Sequence, residues 1–150
     1  MLKTRKTWRE KLEKTQMPKV VATPGGRLQI PKPLDVDALI RQIQRGKLAT
    51  IDQIRVRLAK DFHADYTCPL VTGIFLRICA ETAEEDRKKG IKEITPYWRV
   101  LKADGTLNGK FPGGDEAQAA LLREEGHTVE AGKGKKLPRV REFEDSVESP

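Results

Sequence analysis

The sequence predicts a mainly α-helical fold of the winged helix-turn-helix class, with a short β-hairpin wing and an N-terminal extension. Three consecutive segments between residues 34 and 90 carry apolar side chains at helical spacing. A weakly alternating segment with an Ala103-Asp104-Gly105 turn follows them, and a last helical segment comes before a polar tail. Three helices followed by a small hairpin is the order of elements in a winged helix-turn-helix domain.

Composition divides the 150 residues into three parts: a basic extension (1–33), a folded domain (34–130) and a Gly/Lys-rich, then acidic tail predicted to be disordered (131–150). Residues 1–47 hold twelve Lys/Arg against four Asp/Glu, a net charge of +8, whereas the remainder carries −1. Such a basic region suits phosphate groups, although a solvated basic arm has the same composition.

The extension is predicted to hold little regular structure of its own. The amphipathic piece from Trp8 to Lys14 is too short to form a stable helix alone. Val20-Val21 and the Leu28–Ile30 segment flank Pro24-Gly25-Gly26, a combination that predicts a small hairpin.

The folded domain begins near Leu34. Its first helix has apolar residues on one face between Val36 and Ile43, with acidic residues at its start, where the helix dipole favours them. The second helix begins with a capping box formed by Thr50 and Gln53. Its core stripe consists of Ile51, Ile54 and Leu58.

The third helix is predicted to be the longest. Thr67 is its predicted N-cap, with Pro69 in the first turn, where the missing N–H costs nothing. A broad apolar face is expected inward, and Gly90 ends the helix. That face consists of Leu70, Val71, Ile74, Phe75, Ile78 and Cys79. After the hairpin, a last helix is predicted over about Asp115–Glu125.

Other classes of site are not indicated. Cys68 and Cys79 lie in one predicted helix and are interpreted as small core residues, and the chain shows no secretory signal or membrane-spanning run, so we expect a cytoplasmic protein. His63 and His127 have no partners at ligand spacing, so neither a metal nor another cofactor is expected.

Three short motifs occur in the C-terminal half of the chain. They are Pro96-Tyr97-Trp98-Arg99-Val100, Pro112-Gly113-Gly114 and Leu121-Leu122-Arg123-Glu124-Glu125-Gly126. Together they resemble the DNA-binding domain of the methylated-DNA–protein cysteine methyltransferases, whose signature is Pro-Cys-His-Arg-Val followed by a Gly-Gly turn and a Leu-Leu-x-x-Glu-Gly helix end. The resemblance covers roughly residues 34–130.

The resemblance implies a scaffold without the family's chemistry. Tyr97 stands in place of the acceptor cysteine and Trp98 in place of its histidine, so no thiolate–imidazole pair can form. Ile51 and Pro69 stand where the family has its base-rotating tyrosine and its intercalating arginine, whereas Glu125 matches the family's glutamate. Replacement of the cysteine by an aromatic residue is similar to the alkyltransferase-like proteins, which bind alkylated guanine without repairing it.

Two groups of candidate site residues follow. The expected lesion pocket contains Pro96, Tyr97, Trp98 and Glu125. The expected DNA contacts are Lys47, Thr50, Arg55, Arg57, Thr72, Gly73, Arg77 and Arg99. Two alternatives stay open, because Tyr97 and Trp98 could instead be core residues and Arg99 could pair with Glu125.

The function expected from this resemblance is non-catalytic binding of double-stranded DNA by a monomer, with alkylated guanine as the lesion and excision-repair proteins as further partners. One alternative is a protein-interaction module on the same scaffold that uses Trp8 or the third helix. An active alkyltransferase is the third interpretation.

Overall fold

The computed structural model describes residues 7–13 and 19–150; the remainder of the predicted basic extension lies outside the described residues. Within these described ranges, five helices carry the fold: α1 (Trp8–Leu12), α2 (Pro33–Arg41), α3 (Ile51–Asp61), α4 (Pro69–Lys88) and α5 (Gly114–Glu124). The same part of the chain has 3-10 turns at Tyr97–Arg99 and Phe143–Asp145. The long α4 packs against α1, α2 and the first of these turns.

In the part of the chain that the structure describes, seven short strands form three small sheets. They are β1 (Lys19–Thr23), β2 (Gly26–Ile30), β3 (Ala49–Thr50), β4 (Tyr66–Thr67), β5 (Val100–Leu101), β6 (Val129–Glu130) and β7 (Arg139–Val140). The first sheet has the order β1-β2-β4, with β1 and β2 antiparallel and β4 parallel to β2. β3 pairs with β5 in parallel, and β6 pairs with β7 in antiparallel orientation.

Local sequence signals set several of these elements. The Thr50 hydroxyl accepts from the Gln53 amide while the Gln53 side chain accepts from the Thr50 amide, which is the predicted capping box. The predicted hairpin about Pro24-Gly25-Gly26 is present as β1 and β2. α4 ends at Lys88, and Gly90 takes the left-handed conformation that terminates helices, with φ of +80°.

The α1 helix is stable in context because it docks on α4. Leu12 is buried in the core, and the Arg9 guanidinium pairs with the buried Asp86 carboxylate. A five-residue helix gains little from its own hydrogen bonds, so these contacts with α4 hold it in place.

The apolar face predicted for α4 is confirmed at Ile78 and Cys79, which are buried, and is wrong at two residues nearer its start. Leu70 and Ile74 are 73% and 50% exposed, whereas Thr72 and Leu76 point into the core. Cys68 rather than Thr67 is the N-cap, and the Thr72 hydroxyl donates to the Cys68 carbonyl. A threonine can enter the core in this way because the backbone satisfies its hydroxyl.

The predicted hairpin wing also differs from the structure. A tight turn forms at 102–106, where the Lys102 amide donates to the Thr106 carbonyl. The flanking residues pair elsewhere, since Val100-Leu101 lies beside β3 and Thr106 bridges to Arg139. The hydrogen-bond partners are distant in sequence, so alternation alone could not identify them.

The prediction of a disordered tail at 131–150 does not match the structure either. Val140 and Phe143 are buried, and β7 pairs with β6. Val147 bridges to Leu48 and packs against the core. A few apolar residues thus order a segment whose overall composition is polar.

Candidate nucleic-acid interface

The signature segment places an aromatic pair inside the protein. Tyr97 is 1% exposed and Trp98 is 8% exposed. The Tyr97 ring packs edge-on against Trp98, with ring centroids 5.3 Å apart, and against Phe111, at 5.1 Å. The Tyr97 hydroxyl donates to Glu84 Oε2 of α4 over 2.7 Å. The pair therefore joins α4 to the Tyr97–Arg99 turn.

Glu125, at the end of α5, is the polar centre of this region. Its carboxylate accepts from Trp98 Nε1 at 2.7 Å, from Arg99 Nε at 2.9 Å and from the Gly46 amide at 3.1 Å. Arg99 also donates through Nη1 to the Ile43 carbonyl. The ion pair between Arg99 and Glu125, one of the two alternatives for Arg99, is present, and it leaves the guanidinium turned inward. We call Tyr97, Trp98, Arg99 and Glu125 the aromatic centre.

The proton equilibria of the aromatic centre follow from these contacts. Burial raises the pKa of Tyr97, and the hydrogen bond to Glu84 raises it further. Burial alone would raise the pKa of Glu125, but hydrogen bonds from Arg99, Trp98 and the Gly46 amide outweigh that penalty and leave the pKa below its ordinary value. At neutral pH the hydroxyl is thus protonated and the carboxylate ionised.

The four residues predicted to line a lesion pocket form no open pocket together. Pro96, Tyr97 and Trp98 are buried, and the Glu125 side chain is 3% exposed. Only Tyr97 reaches a cleft, of about 470 Å³, between the C-terminal half of α4 and α5. The cleft is lined by Glu84, Arg87, Lys88, Tyr97, Pro112, Gly113, Ala117, Ala120 and Leu121.

A larger concavity lies at the other end of α4. It has a volume of about 750 Å³, and the exposed face of the first turns of α4 forms its floor. Its lining comprises Trp8, Lys11, Pro69, Leu70, Gly73, Ile74, Arg77, Ile78, Lys102, Asn108, Gly109, Lys110 and Leu137. We call it the α4 groove.

The α4 groove is apolar at its floor and cationic around it. Four of its residues, Lys11, Arg77, Lys102 and Lys110, carry positive charge, and within the described part of the chain its lining contains no carboxylate. Lys11 Nζ lies 4.2 Å from the centroid of the half-buried Trp8 ring, and the Arg77 guanidinium lies 5.7 Å from it. Arg77 also lies 3.9 Å from a Glu81 carboxylate oxygen, outside the lining. An aromatic ring among partly exposed cations suits the phosphates and bases of a nucleic acid.

Two of the eight predicted DNA contacts lie in this groove. Gly73 and Arg77 line it, and the Arg77 side chain is 56% exposed. Thr72 and Thr50 are instead buried, each held by a backbone hydrogen bond. Arg99 belongs to the aromatic centre.

The remaining three predicted contacts lie near α3 and are engaged within the protein. Arg55 Nε donates to the Thr67 carbonyl, and Arg57 Nε donates to Asp61. Lys47 Nζ lies 3.9 Å from a Glu148 carboxylate oxygen. These side chains are partly exposed and retain room to rearrange.

Sequence reasoning missed Lys11, Lys102 and Lys110 as candidate contacts. These residues are far apart in sequence and come together only when α1 docks on α4 and when the 102–110 loop folds back on it. The basic charge of the N-terminal third was a signal for Lys11 alone. Nothing in the local sequence distinguishes Lys102 or Lys110 from other surface lysines.

The described residues offer no other evident chemistry. Within residues 7–13 and 19–150 there is no group of three or more His, Cys, Asp or Glu side chains that could hold a metal ion. Burial raises the pKa of the Cys79 thiol well above its usual value, so this thiol is a poor nucleophile. None of the described helices is long and apolar enough to span a membrane.

Comparisons with known proteins identify the fold. No model of a known protein family matches the chain, and no curated protein sequence matches it. Two solved structures from S. pombe are similar in fold: Atl1 in complex with damaged DNA containing O6-carboxymethylguanine (TM-score 0.51, 17% identity) and ATL in complex with DNA (TM-score 0.54, 18% identity). Each comparison covers 79% of this chain and 94% of the other. The chain therefore has the alkyltransferase-like fold, mostly helical with small sheets.

Proposed function

We propose that this chain is a non-catalytic, double-stranded-DNA-binding protein of the alkyltransferase-like type, and that the α4 groove contacts the DNA. The observation that carries the proposal is the groove itself. An exposed helix face lies among four cations with no carboxylate in the lining. Both S. pombe proteins of similar fold were crystallised with DNA, which supports the same class of ligand here.

We assign α3 and α4 as the helix-turn-helix pair, joined by residues 62–68. The exposed first turns of α4 then face the duplex. The turn at 102–106 and the loop that contains Lys110 would act as the wing and contact phosphates beside α4. Phosphate contacts of this kind position a protein on DNA without reading its sequence, so we expect weak sequence preference.

The geometry of the aromatic centre supports a non-catalytic role. The Tyr97 hydroxyl donates to Glu84 and its raised pKa keeps it protonated, so it is not a phenolate nucleophile. The Trp98 indole N–H donates to Glu125 and has no lone pair with which to accept a proton. Intact-mass measurement after incubation with excess alkylguanine DNA should therefore show no added alkyl group. A stoichiometric mass gain would contradict the assignment.

Recognition of alkylated guanine is a second candidate, supported by the cleft beside Tyr97. The cleft has an apolar wall formed by Pro112, Ala117 and Leu121, with Arg87 at its edge. Its volume of about 470 Å³ lies within the usual range of small-molecule pockets, roughly 300–1,000 Å³. Tyr97 lines the cleft but is only 1% exposed, so a bound base would pack mainly on the aliphatic side chains.

One titration series tests both candidates. Plain and O6-alkylguanine duplexes of the same sequence are titrated at several salt concentrations. The DNA-binding proposal expects log affinity to fall linearly with log salt, by about 0.9 for each phosphate contact. Tighter binding of the alkylguanine duplex at every salt concentration would support lesion recognition and make excision-repair partners worth testing. Equal affinity would remove lesion recognition, and the absence of salt-dependent binding would leave the protein-interaction alternative.

A further inference from the structure

The last residues of the chain lie along β3 and α3. Val147 bridges to Leu48 in parallel orientation. The Leu48 amide donates to the Ser146 carbonyl, and the Glu148 amide donates to the Leu48 carbonyl, each over 2.9 Å. We call residues 146–150 the C-terminal strap.

The strap is attached through a fixed anchor. Phe143 is buried against Gly105, where a Cβ would come within 2.3 Å of the ring. Gly105 also has φ of +83°, a conformation that glycine adopts without strain. Any side chain at this position would both clash with Phe143 and strain the backbone. The Ser146 amide donates back to the Phe143 carbonyl. The burial of Phe143 therefore fixes the position at which the strap begins.

The strap engages two cations that the sequence assigns to DNA. Arg57 Nη1 donates to the Pro150 carbonyl over 2.7 Å, while its Nε donates to Asp61. Lys47 Nζ lies 3.9 Å from Glu148 Oε1. The strap and the turn before it carry Glu142, Glu144, Asp145 and Glu148. An acidic segment thus lies where a phosphate backbone would have to approach α3.

We propose that the C-terminal strap is an internal competitor for the phosphate contacts of Lys47 and Arg57, and that duplex DNA displaces residues 146–150 when it binds. This inference rests on the proposed DNA binding. Phe143 stays in place as the hinge point. Lys47 and Arg57 exchange a carboxylate and a carbonyl for phosphate oxygens.

The exchange is physically reasonable because the contacts that the strap makes with Lys47 and Arg57 are weaker than contacts with phosphate. The Lys47–Glu148 pair is long, and its side chains are 42% and 58% exposed, so it contributes little. Arg57 Nη1 makes a single hydrogen bond to a Pro150 oxygen of the strap, whereas a phosphate can accept two charge-assisted hydrogen bonds from a guanidinium. The strap therefore lowers affinity for DNA without preventing binding.

Amide hydrogen exchange gives a direct readout. Adding duplex DNA should speed exchange at the Leu48 and Glu148 amides, whose hydrogen bonds join Leu48, the residue before β3, to the strap. The Asp145 and Val140 amides, which lie outside the strap and bond to the Glu142 and Gly105 carbonyls respectively, should not change. Unchanged or slower exchange at Leu48 and Glu148 in the DNA-bound protein would overturn displacement of the strap.

A matched pair of charge reversals tests the competition itself. Glu148→Lys removes the acid beside Lys47. Glu93→Lys makes the same charge change at an exposed position in the loop that follows the C-terminal end of α4. At low salt, Glu148→Lys should bind duplex DNA at least about threefold more tightly than Glu93→Lys. A difference of this size is roughly what one phosphate contact contributes when the salt concentration changes severalfold. Equal affinities would overturn the strap proposal alone. No binding by either variant or the parent would overturn the DNA-binding proposal as well.

Discussion

The aromatic centre and the α4 groove differ in two respects: whether a sequence motif marks them, and whether their side chains are accessible. The aromatic centre contains the signature motif, yet its side chains are buried and bonded to one another. The α4 groove contains no signature, yet it is open, cationic and free of carboxylates in its described lining. A segment that resembles a family signature can have a structural role, while a candidate binding surface can form from residues that no motif contains.

The largest expected effect belongs to Tyr97 in the aromatic centre. Tyr97→Ala removes a ring that packs on Trp98 and Phe111 and should lower the free energy of unfolding by about 3–5 kcal/mol, as other buried aromatic truncations do. Denaturant unfolding measures it. Tyr97→Phe is the control, since it keeps the ring and loses only the bond to Glu84, about 1 kcal/mol. A Tyr97→Ala protein as stable as the parent would show that the ring is not structural.

Glu125 should come next. Glu125→Gln keeps the shape but leaves Arg99 without its counter-charge, at a cost of about 3 kcal/mol at neutral pH. Because folding lowers the pKa of Glu125, its ionised form stabilises the protein above the unfolded value of about 4.3, and this contribution is lost as pH falls through the folded pKa. Unfolding curves of parent and variant should therefore converge below about pH 4. A gap that stays constant down to pH 3 would argue against this linkage.

The third prediction concerns DNA affinity rather than stability. Replacing Arg77 and Lys110 together by Ala should reduce the steepness of the plot of log DNA affinity against log salt concentration. The slope should become shallower by about 1.8, which is 0.9 for each lost phosphate contact. The unfolding free energy should hardly change, because both side chains are at the surface. Arg123→Ala, on the exposed face of α5, is the control and should leave the slope unchanged. If the control and the double variant behave alike, the contact surface lies outside the groove.

The smallest effect is expected at Leu70, on the floor of the groove. Leu70→Ala removes a side chain that is already 73% exposed, so stability should change by no more than about 0.5 kcal/mol. Leu70→Glu should be equally stable but should weaken DNA binding, because it places a carboxylate among the groove cations. A stability loss several times larger for Leu70→Ala would mean that this face of α4 is covered.

The sequence predicted those features that depend on neighbouring residues. The capping box at Thr50 and the end of α4 at Gly90 are local signals, and α5 lies within a residue of its predicted bounds. The contact between Arg99 and Glu125 was one of two alternatives, because a guanidinium suits either a phosphate or a carboxylate.

Features that depend on distant partners were not predictable. Alternation around Val100 could not reveal that its strand pairs with β3, which lies some fifty residues earlier. The apolar stripe of α4 could not distinguish side chains in the core, such as Leu76, from those left exposed, such as Leu70. The α4 groove itself exists only because α1 and the 102–110 loop both fold onto α4.

The chain's two tryptophans allow the two regions to be compared in one experiment. Trp8 lines the α4 groove, and the Trp98 indole N–H is bonded to Glu125 inside the aromatic centre. In an NMR titration with duplex DNA, each indole N–H gives its own resonance. We predict that the Trp8 resonance shifts progressively with added DNA while the Trp98 resonance stays in place. Movement of the Trp98 resonance with an unmoved Trp8 resonance would contradict the account and place the DNA at the aromatic centre.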